Sequence, residues 1–90
     1  MKPLTPESLI EYPSSFPIKV MGLNVDGFVD AVIDVARSFD PGFDAQQVTK
    51  RPSAAGKYLG VTITVTATSR AQLDALYLAL TAHPLVKVAL

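Results

Sequence analysis

Three groups of residues in this chain combine types and spacing that suit chemistry. The first is the segment Gly22-Leu23-Asn24-Val25-Asp26-Gly27. Glycines there let backbone approach a ligand, and free amides at the start of a following helix receive a carboxylate, while Asp26 meets an ammonium group. The second is the cluster Lys50, Arg51, Ser53, Gly56 and Lys57, whose cations, hydroxyl and glycine amide suit a phosphate or carboxylate. The third is the set Lys19, Met21, Thr62, Thr64 and Thr66, with Lys87, whose aliphatic stems and hydroxyls can bury against a partner. Each has a plainer alternative. Gly22 and Asn24 can serve turn geometry alone, the cations can guard an edge strand, and the threonines can face water.

Other chemistries lack their residues. Ninety residues allow one domain and one core. No cysteine is present, which removes disulfides, thiol nucleophiles and cysteine-ligated zinc or iron–sulfur sites. Eight basic and eight acidic side chains balance, so the composition predicts no nucleic-acid binding by bulk electrostatics. The single histidine, His83, precedes Pro84 with no partner nearby in sequence, and its expected role is to favour a helix dipole rather than catalysis. Asp26, Asp30 and Asp34 recur every four residues, but no further metal ligand accompanies them and a solvated face is expected. With no convergent nucleophile and base, the expectation is a protein that is not an enzyme and needs no cofactor or metal. No stretch reaches the roughly 18 apolar residues of a membrane span. Pro3, Thr5, Pro6, Glu7 and Ser8 stand where an export signal needs an apolar run, so a cytoplasmic chain without membrane contact is expected.

The elements that must position these residues follow from periodicity. Pro3, Pro6 and Pro13 predict an N-terminal tail over residues 1–14, in which Ser8 to Tyr12 can make one turn and dock through Leu9, Ile10 and Tyr12. A single domain is expected over residues 15–90. Phe16 to Gly22 alternates as a strand, with Gly22 turning the chain out of it and Asn24 or Asp26 capping the next helix. Phe28, Val29, Val32, Ile33, Val35, Ala36 and Phe39 trace a helical stripe, ended by Asp40-Pro41-Gly42. Asp44 to Pro52 reads as a polar edge strand, and Ser53 to Gly56 as a hairpin turn. In Tyr58 to Thr68, Leu59, Val61, Ile63, Val65 and Ala67 alternate with threonines. Ser69 and Gln72 form a capping box before a helix whose stripe is Leu73, Leu76, Tyr77 and Leu80. His83-Pro84 stops it, and Leu85 to Leu90 forms the last strand, with Val86, Val88 and Leu90 on one face. The order βαββαβ predicts an α+β, ferredoxin-like two-layer sandwich. Its four antiparallel strands lie in the order 4-1-3-2, with both helices on one face.

Several functions of that fold leave marks that are missing. RNA recognition needs aromatic rings where Thr62, Thr64 and Thr66 stand. Soft-metal carriage needs a cysteine pair in the first loop, and phosphate gripping of the acylphosphatase kind needs an arginine between Gly22 and Asp34, where none occurs.

Ile18-Lys19-Val20-Met21-Gly22, the run Lys50 to Ser69 and the closing Leu85 to Leu90 resemble the YbeD-like family of small bacterial proteins, as does Leu9-Ile10-Glu11-Tyr12-Pro13. The resemblance spans roughly residues 8–90. It implies a fold similar to the ACT-type regulatory domains of amino-acid metabolism, in which the first loop helps hold an amino-acid effector, often across a dimer interface. The family is itself functionally uncharacterised. Its hairpin often reads Ser-Ser-Lys-Gly, whereas this chain has Ser53-Ala54-Ala55-Gly56 and lacks one hydroxyl and one charge. The expected function is a non-enzymatic regulatory module that binds a small metabolite such as an amino acid and shifts between assemblies. The alternative is a protein–protein adaptor that works through the open sheet face or an edge strand. That face also leaves homodimerisation open.

Overall fold

The computed structural model describes residues 11–90. Four strands, β1 (Ser14–Leu23), β2 (Thr49–Pro52), β3 (Tyr58–Ala67) and β4 (Val86–Ala89), alternate in the chain with two helices, α1 (Phe28–Phe39) and α2 (Arg70–Ala82). The sheet is antiparallel throughout, in the order β2-β3-β1-β4. This is the expected ferredoxin-like arrangement. β1 and β3 form its centre, paired from Ser14 with Ala67 to Leu23 with Tyr58. β-Branched residues at every second position of β3 favour the extended chain and give it one apolar face. Ile18, Val20, Val61, Ile63 and Val65 meet Phe28, Val32 and Ala36 of α1 and Leu76 and Leu80 of α2, all at most 1% exposed. Each large aliphatic or aromatic side chain so buried contributes about 1.5–3 kcal/mol.

Several local features differ from the sequence expectation. β1 starts at Ser14, one residue inside the expected tail. Within that tail Tyr12 is half-buried, and Leu9 and Ile10 lie outside the described residues. The expected strand Asp44–Pro52 is shorter at its start. The Asp44 carboxylate accepts the Gln46 N–H at 2.9 Å, which winds Ala45–Gln47 into a 3₁₀ turn and delays β2 to Thr49. Neither Asn24 nor Asp26 caps α1. Gly27 holds that position with φ 88° and no side-chain bond. Ser69 caps α2 as expected, accepting the Gln72 N–H at 3.0 Å. Gln72, however, reaches back to the Thr68 N–H at 2.7 Å rather than to that of Ser69.

The last strand departs most. Val20 pairs with Ala89 and Met21 with Val88, but Gly22 pairs with Val86, so Lys87 is an extra residue in a β-bulge. The bulge reverses the alternation that placed Val86, Val88 and Leu90 together. Val86 stays in the core, while Val88 and Leu90 turn to the open face opposite Met21 and Lys19.

One polar knot ties both helices to the sheet. β2 pairs with β3 only from Leu59 to Thr62, so among the described residues the outer edge of β3 beyond Thr62 has no strand beside it. There the Thr66 N–H donates to Asp40 Oδ2 (2.9 Å) and the Gln72 Nε2 donates to the Thr66 carbonyl (3.1 Å). Asp40 Oδ1 also accepts the Gly42 N–H at 3.1 Å, and Gln72 Nε2 donates to the Phe39 carbonyl at 3.0 Å. Asp40 is 8% exposed, the one buried polar or charged residue among those described. Asp40→Ala leaves both amides without acceptors and is expected to lower stability by about 1–3 kcal/mol. Equilibrium urea unfolding should show a lower midpoint with an unchanged slope.

Candidate functional site

The loop between β1 and α1 is built differently from the expected ligand cradle. Gly22 belongs to β1 and is buried. A Cβ there would run into the Leu85 carbonyl and lie 2.6 Å from Phe28 Cε1, so its lack of a side chain serves packing. Asn24 joins the loop to the hairpin, its N–H donating to the Lys57 carbonyl (2.8 Å) and its Nδ2 to the Gly56 carbonyl (3.1 Å). Asp26 and Gly27 remain open to solvent. Among the described residues, the Val29 and Asp30 amides in the first turn of α1 have no acceptor. They border a recess of about 380 Å³ walled by Asp26, Asp30, Lys50 and Leu59.

The cation cluster does not assemble. β2 alternates, so Lys50, opposite Val61, turns towards the helix side and borders the α1 recess, while Arg51, opposite Gly60, turns to the open face. Lys57 lies with its Nζ 5.5 Å from the centroid of the Tyr58 ring. Gly56 (φ 74°) donates its N–H to the Ser53 carbonyl at 2.9 Å, which occupies the expected anion-binding amide. The Ser53 hydroxyl oxygen accepts the Tyr58 N–H at 3.1 Å. The hairpin thus closes on its own bonds.

The open face brings other residues together. Arg51, Gly60, Met21 and Val88 stand side by side, one on each strand. Gly60 leaves a depression of about 190 Å³ between Lys19 and Arg51, with Met21, Ser53 and Tyr58 at its margin. Thr62 and Thr64 are half-buried and Thr66 exposed along β3. Sequence reasoning separated Lys19 from Arg51 and missed Gly60, Val88 and Leu90. Two-residue parity in β2 was the available signal for Arg51.

Elsewhere, His83 Nδ1 accepts the Leu85 N–H at 3.1 Å. That bond holds the turn after α2. Among the described residues no three histidine or acidic side chains converge as metal ligands, and no helix is long and apolar enough to cross a membrane. A hollow of about 490 Å³ lies on the outer face of α2 around Tyr77 and Leu78, the latter 70% exposed. Burial raises the Tyr77 pKa above its ordinary value, with Arg70 acting in the opposite direction.

Residues 7–90 match a protein family described only as of unknown function, DUF493. The chain belongs to that family. Its members include a UPF0250 protein of Leptothrix cholodnii, 63% identical over 84 residues that make up 93% of this chain and 92% of that one. UPF0250 protein RSc0326 of Ralstonia nicotianae is 59% identical over 90 residues, covering 98% of this chain and 93% of its own. The YbeD-like resemblance of the strands and hairpin is to this same family. Among solved structures, the solution structure of protein HP0495 from H. pylori aligns with a TM-score of 0.75 at 12% identity, over 99% of this chain and 88% of that one. At that identity the likeness establishes the ferredoxin-like fold alone.

The two sheet glycines should respond oppositely to alanine. Gly22→Ala is expected to destabilise by about 1–3 kcal/mol or more through overpacking. A Cβ on Gly60 would lie 3.5 Å from the Arg51 carbonyl and 3.8 Å from Lys19 Cε, ordinary contacts, so Gly60→Ala should leave the melting temperature nearly unchanged. Thermal denaturation of both variants checks this.

Proposed function

We propose that this chain is a non-enzymatic regulatory module whose α1 recess binds a small zwitterionic metabolite, an amino acid being the simplest case. The observation that carries the reading is the uncapped start of α1. Its Val29 and Asp30 amides face the recess without acceptors among the described residues, and the partial positive charge of a helix N-terminus favours a carboxylate there. Lys50 adds a full positive charge for that carboxylate, while Asp26 and Asp30 suit an ammonium group. A ligand carrying both signs fits this lining better than a plain anion, which the two aspartates repel. Compared with the sequence reading, Gly22 drops out, and Asp30 and Lys50 join Asn24, Asp26 and Gly27.

Regulation would act by population shift, the ligand fixing the β1–α1 loop and, through Asn24, the hairpin it holds. Titration of ¹⁵N-labelled protein with each amino acid tests the reading. Saturable shifts are expected at Gly27 to Asp30 and at Lys50. Asp26→Ala and Lys50→Ala should each weaken binding about tenfold, the scale of one charge-assisted hydrogen bond. Absence of shifts in the loop with every amino acid removes the reading.

A further inference from the structure

The formal net charge is zero, yet the strands carry charge of one sign. Lys19, Lys50, Arg51 and Lys87 lie in the strands, and among the described residues no strand contains an acidic residue. The helices carry both signs, Asp30, Asp34 and Asp74 with Arg37 and Arg70, and Asp26, Asp40 and Asp44 lie in the loops beside α1. The open face of the sheet is therefore cationic around Lys19 and Arg51. Beside these cations it exposes Met21 in part, with Val88 and Leu90 at 38% and 67%.

We propose that this face docks an acidic amphipathic helix of a protein partner. The partner's carboxylates would meet Lys19 and Arg51 at the depression over Gly60, and its aliphatic side chains would cover Met21, Val88 and Leu90. Charge complementarity selects the acidic character. The backbone form follows from the edges. β2 is four residues long and ends in Pro52, and β4 is broken by the bulge at Lys87, so both edges resist strand addition. A segment lying across the flat of a sheet gains no ladder bonds and must satisfy its own backbone, as a helix does.

Other occupants fit less well. A second copy placed face to face would bring two cationic faces together. Single-stranded RNA needs a stacking platform, but β3 presents Thr62, Thr64 and Thr66 at its centre and Tyr58 only at its end. The depression, about 190 Å³, is below the roughly 300 Å³ at which small-molecule pockets begin, and is of a size for one anchoring side chain.

The test uses the full chain, ¹⁵N-labelled, and a synthetic helical peptide with leucines at i, i+3, i+4 and i+7 flanked by glutamates. Saturable shifts are expected at Lys19, Met21, Thr62 and Val88, with affinity falling as salt rises. Lys19→Glu combined with Arg51→Glu, both exposed positions, should weaken binding by at least about tenfold and favour the matching lysine–leucine peptide instead. Gly60→Ala, which fills the floor without steric conflict, should weaken it as well. Any of four results overturns the proposal. They are no sheet-face shifts up to millimolar peptide, shifts confined to the α1 recess, equal binding of an oligonucleotide of equal charge, and self-association that protects the same residues.

Discussion

Two side chains substitute for a missing strand at the far end of β3, and the placement of both helices depends on them. Beyond Thr62 the outer edge of β3 has no β2 residue to bond. Asp40, at the end of α1, takes the Thr66 N–H, and Gln72, in the first turn of α2, takes the Thr66 carbonyl and that of Phe39. One residue of the sheet thus fixes where α1 stops and where α2 starts. The carboxylate tolerates its burial because it accepts two backbone amides, and an ionised acceptor makes stronger hydrogen bonds than a neutral one. With the two helix ends fixed at one point, Val32, Ala36, Leu76 and Leu80 meet over β1 and β3 without a long loop to adjust them.

At the opposite end of the sheet, a single glycine has the corresponding role. Gly22 lets Phe28 and the chain at Leu85 approach β1 closely enough to seal the core beneath the first loop. The next step follows from that closeness. β4 begins against Gly22 at Val86, then takes on Lys87 as an extra residue before resuming with Val88 opposite Met21. The bulge twists the edge away from further pairing and turns two aliphatic residues outwards. Tight packing on one face and an apolar strip on the other are therefore two results of the same few residues.

Much of this was legible in the residues. The 3.6 and 2.0 periods gave α1, β1 and β3 nearly to their ends, because a strict apolar stripe leaves one burial solution. Ser69 and Gln72 marked the start of α2 by side-chain chemistry alone. The losses have physical causes. Asp44 diverted its segment into a turn by a local bond that competes with extended pairing. The bulge in β4 reverses facing without any change in composition, so alternation read along Val86, Val88 and Leu90 could not reveal it. Gly22 read as a ligand-binding residue because a tight turn and a cradle draw on the same residue types. The Leu85 carbonyl packed on Gly22 and the Gly56 carbonyl that Asn24 bonds are both distant in sequence.

The split of Lys50 from Arg51 carries a more general argument. Cations adjacent in sequence suggest one anion site, but on a strand adjacent side chains leave by opposite faces. Lys50 thereby belongs to a recess of mixed sign at the start of α1, whose aspartates set what it can attract. Arg51 belongs to a face with no acidic strand residue, where Lys19 reinforces it. The same pair of charges thus serves two surfaces of different selectivity, one suited to a ligand with both signs and one to an acidic surface. Between them stands β2, four exposed residues held on one side by β3. Pairing of Lys50 with Val61 and of Arg51 with Gly60 keeps the two charges on their separate sides, so the register of β2 on β3 is what sorts them.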